Sequence, residues 1–188
     1  MPAGPGSPLA PLDRFYVAAG LALPSVEVVA ETDVPAAMRH LLTAPGPLTP
    51  RLEHHRGGPL ALRVLERRRN GDDYARRVVL LDDDAPVLLG AIAVDLARLP
   101  PAVRAAVLAE RLPFGHVVTT GMTKPSALLR IAPDAALTAA LQLPADVAGA
   151  WLYGRRRTVI DERAAVVAAI VDVLAPIPTR RGECGATV

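Results

Sequence analysis

Residues 74–95, YARRVVLLDDDAPVLLGAIAVD, constrain this chain more than any other stretch. Two apolar runs flank an acidic segment followed by proline, which predicts a β-hairpin. Side chains alternate along a strand, so Arg76 and Arg77 point to opposite faces. One of them faces the inside of the sheet unless the strand is an outer edge, and a surface arginine on an edge strand is the competing reading for Arg76. A buried guanidinium needs an anion, either a partner carboxylate or a ligand.

The chain has 188 residues, enough for one domain with a sizeable core. Apolar residues make up 51%, yet there are only two Phe, three Tyr and one Trp, so the core must be built from Ala, Val and Leu. The net charge of +2 is small, and no basic stripe interleaved with aromatics is present, which argues against nucleic acid as a partner. A single cysteine, Cys184 in a polar tail, supports neither a disulfide framework nor a zinc site. His54 and His55 are adjacent rather than at metal-ligand spacing, so no metal is expected. No run of 18 apolar residues occurs and the N-terminus lacks the pattern of a signal peptide. These features predict a cytoplasmic protein without a membrane partner.

In chain order, residues 1–12 are rich in Pro, Gly and Ala and are expected to be a disordered tail. A domain over 13–176 and a flexible tail over 177–188 complete the organisation. Met38, Leu41 and Leu42 give one helix its apolar stripe, and Thr49 with Pro50 opens a second that Gly57 and Gly58 end. Residues 60–69 read as a strand, and the hairpin follows. A helix over 99–112, a turn entering a strand at PFGHVVTT, a loop over 122–125 and a strand over 126–131 come next. Asp134 starts a helix through Leu141, and two strands joined at residues 161–163 close the chain. The order predicts an α+β fold on one antiparallel sheet of about six strands, with helices on one face enclosing a pocket.

Four pieces of this pattern resemble the chorismate pyruvate-lyases. They are HLLTAPGPLTPRLE with Leu48, Thr49 and Glu53 in matching places; the hairpin with Arg76; PFGH at 113–116; and YGRRRTVIDERAAVVAAIVDVLAP at the end. The resemblance implies a chorismate-lyase-like fold, a monomer, no cofactor, and a pocket in which two arginines hold the ligand's carboxylates while an acid assists departure of the leaving group. Carried over, Arg76 is the first arginine and Asp172 the acid, both catalytic. Substrate contacts fall to Leu48, Val78, Leu89, Ala91, Phe114, His116 and Arg155. Ala91 stands where the family would place its second arginine, and His116 where it has another. A pocket that has lost these charges suits a less charged small-molecule substrate. The resulting expectation is an enzyme of this fold, a lyase or cyclase, redirected to an apolar substrate in bacterial specialised, polyketide-like metabolism such as antibiotic biosynthesis. Two alternatives remain open: a genuine chorismate pyruvate-lyase, and a non-catalytic small-molecule sensor of the same fold. Asp172, inside an apolar run, is expected either to be buried with Arg76 as its natural partner or to lie at the exposed end of its strand.

Overall fold

The hairpin forms as the pattern of residues 74–95 requires, and it lies within a larger sheet. The structure, a computed structural model, describes residues 7–118, 122–145, 147 and 149–177. Helix α1 spans Asp13–Ala18 and is followed by strand β1, Val26–Val29. Helix α2, Ala36–Thr43, buries Met38, Leu41 and Leu42, residues three and four apart that share one side of a helix. Helix α3, Leu48–Arg56, buries Leu48, Thr49 and Leu52. It stops at Gly57, whose φ of +85° only glycine adopts without strain and whose N–H donates to the Glu53 carbonyl at 2.8 Å.

Strands β2 (Ala61–Asn70), β3 (Asp73–Asp82) and β4 (Ala85–Asp95) form a meander. Gly71 and Asp72 form the first tight turn, between the paired residues Asn70 and Asp73, with Gly71 at a φ of +61°. Helix α4 (Pro101–Ala109) and the one-turn helix α5 (Phe114–Val117) lead to β5 (Met122–Ile131). Helix α6 (Ala135–Leu141) is capped by Asp134, whose side chain accepts from the Leu137 N–H. Strands β6 (Leu152–Ile160) and β7 (Val166–Leu174) end the fold. All pairs are antiparallel, in the order β1-β5-β6-β7-β4-β3-β2.

The expected α+β class on a single antiparallel sheet holds, with seven strands rather than about six. The added strand is β1, four residues long, too short for a periodic pattern to stand out. Residues 114–117 are a helical turn rather than the start of a strand, and β5 begins at Met122, inside the expected loop. The tail boundary at residue 12 also moves: Leu9 and Leu12 are completely buried. Residues 1–6 and 178–188 lie outside the described part, and Ile177 packs against the core.

Helices cover both faces of the sheet. On one, α1 and α6 with Leu9 and Leu12 pack on Ala75, Val79, Leu89, Ala91, Val171 and Val173. Burying a Leu or Val side chain fully contributes about 1.5–3 kcal/mol, so this apolar layer supplies much of the stability. On the other, α2 to α5 roof a second layer that includes Tyr74, Leu80, Leu88 and Ile92. No described helix is long and apolar enough to cross a membrane.

Candidate functional site

Strand alternation and register together build the site on the second face. Val78 of β3 stands opposite Gly90 of β4, Gly90 opposite Asp172 of β7, and Asp172 opposite Arg155 of β6. One row along the same face, Arg76 is followed by Ile92, Ile170 and Arg157. Neighbouring strands lie about 4.8 Å apart and same-face residues about 6.8 Å apart along a strand. The two rows therefore form a floor roughly 14 Å wide with a guanidinium near each end. The roof consists of Pro47, Leu48 and Thr49 at the start of α3, and Pro113, Phe114, Gly115 and Val118 around α5. Gly115 allows the close contact between them, since a Cβ there would stand 3.0 Å from Pro47 Cβ and 3.3 Å from Thr49 Oγ1. Between floor and roof lies a cavity of about 60 Å³, room for roughly four water molecules.

The floor carries an uneven set of charges. Arg76, Arg155 and Arg157 are 1%, 3% and 2% exposed, against a single buried carboxylate, Asp172, at 9%. Arg155 Nε donates to Asp172 Oδ2 at 3.2 Å, and its Nη1 and Nη2 reach the carbonyls of Ala44 and Gly46 at 3.4 Å. Arg157 Nη1 also donates to the Gly46 carbonyl. Arg76 donates to the carbonyls of Leu112, at 2.9 Å, and Val107, at 3.4 Å. No described carboxylate lies within 4 Å of Arg76, although Glu110 acts on it electrostatically. Burial, and then the charge of Arg155 beside it, pull Arg157 down to about 10. Burial disfavours the charged form and a neighbouring like charge adds to that, while the charge of Asp172 opposes both.

Glu110 belongs to a network at the Arg76 end. Tyr74 Oη donates to its Oε1 at 2.6 Å and Arg67 Nη1 to its Oε2 at 2.7 Å. Burial pushes Glu110 up, yet these two bonds outweigh it and hold the carboxyl below its ordinary value. Burial and the bond to Glu110 push Tyr74 up to about 12. Among the described residues no three His, Cys, Asp or Glu side chains come together as a metal site requires.

The structure brings six of the nine predicted site residues together: Arg76, Asp172, Leu48, Val78, Phe114 and Arg155 all line the cavity. Leu89 and Ala91 do not. They sit on the opposite, apolar face, each 1% exposed, because they are one residue out of step with Gly90 and Ile92. An arginine at position 91 would therefore enter the other core rather than the cavity. His116 stands outside, its Nε2 2.8 Å from Glu53 Oε2. Asp172 pairs with Arg155, directly across on β6, rather than with Arg76, two strands away. Sequence reasoning missed Arg157 and Gly90. Arg157 was legible, since alternation in YGRRRTV puts residues 155 and 157 on one face and 156 on the other.

No protein-family model matches the chain, and no curated protein matches it either. Solved structures do. The effector domain of PhnF from Mycobacterium smegmatis aligns with a TM-score of 0.55 and 14% identity, covering 71% of this chain and 90% of that one. PhnF from the same organism aligns with a TM-score of 0.54 and 14% identity, covering 89% and 94%. A GntR-family transcriptional regulator from Bacillus cereus aligns at 0.48 and 13% identity, covering 69% and 98%. The likeness to the two PhnF structures establishes a shared fold.

These findings correct four expectations. Membership of the chorismate pyruvate-lyases does not hold: the fold is shared with PhnF and its effector domain, and the paired-arginine alignment fails at Ala91. The lyase or cyclase reading, with Arg76 and Asp172 as catalytic partners, falls with it, because the register separates the two. The exclusion of nucleic acid as a partner is set aside by the same matches, and the monomer, which rested on the lyase resemblance, loses its basis.

Proposed function

We propose that this chain is a non-catalytic small-molecule sensor, the effector domain of a transcriptional regulator, and that its ligand is a small anion held in the arginine-lined cavity. Occupancy of the cavity would be passed to a partner that contacts DNA. The observation that carries this reading is the excess of buried cations over carboxylates on the floor: three guanidiniums face one Asp. Bringing an anion into such a place converts a desolvated positive charge into a charge-assisted contact. The likeness in fold to the effector domain of PhnF supports the reading. So does the way each arginine is bonded. Arg76 holds the α4–α5 connection, while Arg155 and Arg157 hold the α2–α3 connection, all through backbone carbonyls. An anion competing for the same N–H donors would loosen the roof, which gives a sensor something to report.

Thermal unfolding in the presence of inorganic phosphate and of small carboxylates tests this. A ligand at a hundred times its Kd stabilises the folded chain by about 2.7 kcal/mol, which raises Tm by roughly 5–10 °C for a chain of this size. Arg76→Ala should reduce that rise. Absence of any anion effect, or steady consumption of the ligand, would overturn the proposal.

A further inference from the structure

The carboxylate on the cavity floor is committed on one side only. Asp172 Oδ2 accepts from Arg155, whereas Oδ1 has no hydrogen-bond partner among the described residues. Nor is that oxygen sealed away from the cavity that Asp172 lines. The space in front of it exists because Gly90 stands next to it in the row. A Cβ at Gly90 would lie 3.9 Å from Oδ1, 3.3 Å from Val78 Cγ2 and 3.4 Å from Leu88 Cδ2. The other three positions of that row, Val78, Asp172 and Arg155, all carry side chains into the same layer. The gap over Gly90 thus presents one carboxylate oxygen to a cavity otherwise walled by apolar side chains, Thr49 and guanidiniums.

A carboxylate oxygen facing apolar walls calls for a donor. A carboxylate or a fully ionised phosphate ester supplies none and would be repelled by Asp172. We infer that the ligand of this cavity carries, besides its anionic group, a hydrogen-bond donor that reaches Asp172 Oδ1 over Gly90. The class is a short hydroxy or amino acid, or its phosphorylated equivalent, rather than a plain carboxylate or inorganic phosphate. The acidic group meets the arginine side of the floor and the hydroxyl or ammonium meets Asp172. Arg157 lies two residues along β6 from the position opposite Asp172, about 6.8 Å away, which sets a spacer of a few bonds between the two groups. The small volume points the same way. Asp172 is here a ligand-binding residue and Gly90 the position that sets ligand shape. This rests on the anion-sensor reading above and deepens it.

The test uses the full chain and matched ligands. Propionate, 3-hydroxypropionate and β-alanine form one series, and ethyl phosphate with phosphoethanolamine a second, with affinities measured by titration calorimetry. A charge-assisted hydrogen bond corresponds to about ten- to hundredfold in affinity, so the donor-bearing member of at least one series should bind tighter by that factor. Gly90→Ala, which leaves the Arg155–Asp172 pair in place, should erase the difference by filling the gap. Asp172→Asn should shrink it most for the ammonium ligands. Equal affinity of plain and donor-bearing anions would overturn this inference and leave the anion sensor standing. Failure of every anion to bind would overturn both. A preference that survives in both variants would place the donor contact elsewhere and overturn the assignment to Asp172.

Discussion

The two faces of this sheet use the same strands for opposite ends. On one face β3, β4 and β7 present Ala75, Val79, Leu89, Ala91, Val171 and Val173 to α1 and α6, and the layer is closed by Leu9, Leu12 and Phe15. On the other the same strands present Arg76, Gly90 and Asp172, and β6 adds Arg155 and Arg157. The offset between an apolar core and a charged cavity is one residue. The apolar face keeps its polar groups at the margin: Tyr16 Oη donates to Asp134 at 3.1 Å, and Arg77 lies over the Phe15 ring at 5.9 Å. The cavity face buries its charges centrally and balances them incompletely. In the reading proposed above, stability and binding fall to separate layers of the same strands.

The contrast can be broken most severely by moving a cavity-type residue across. Ala91→Arg would place an unpaired guanidinium among Leu and Val side chains, a cost of several kcal/mol. Chemical denaturation should show a near-complete loss of stability with no gain in anion affinity; a stable variant that binds dicarboxylates tighter would show that position 91 reaches the cavity after all. Next in size is Asp172→Ala, which strands Arg155 at 3% exposure and should cost about 3–5 kcal/mol. A loss below about 1 kcal/mol in urea unfolding would mean that water or the loop carbonyls already compensate Arg155. Smallest is Arg14→Ala, at the rim of the apolar face. Arg14 meets Asp73 at 3.0 Å with the two side chains 30% and 58% exposed, so solvent screening leaves under about 1 kcal/mol. A larger shift in the unfolding midpoint would contradict the assignment of rim charges to a minor role.

The hairpin, the helix stripes at Met38, Leu41 and Leu42, the Gly57 stop and the Asp134 cap were legible because each is written locally, in a period or a cap. The short strand β1 was not, since four residues carry no period. The candidate site was legible in part. Arg76, Asp172, Leu48, Val78, Phe114 and Arg155 were named from the sequence and meet at one cavity. Leu89 and Ala91 were named too, through an alignment that ran one residue out of step with the pleat. Such a slip moves a side chain by the full thickness of the sheet.

What the sequence determined by itself is the alternation: which side chains of each strand share a face, and that Arg76 and Arg77 must part. What only the tertiary structure decided is which strands stand side by side. The order β6-β7-β4-β3 gives Asp172 to Arg155 and leaves Arg76 two strands away. Local patterns fix the direction of a side chain, whereas the partner of a buried charge is set by pairing between strands remote in the chain. That pairing left three guanidiniums and one carboxylate, among the described residues, on the floor of one cavity.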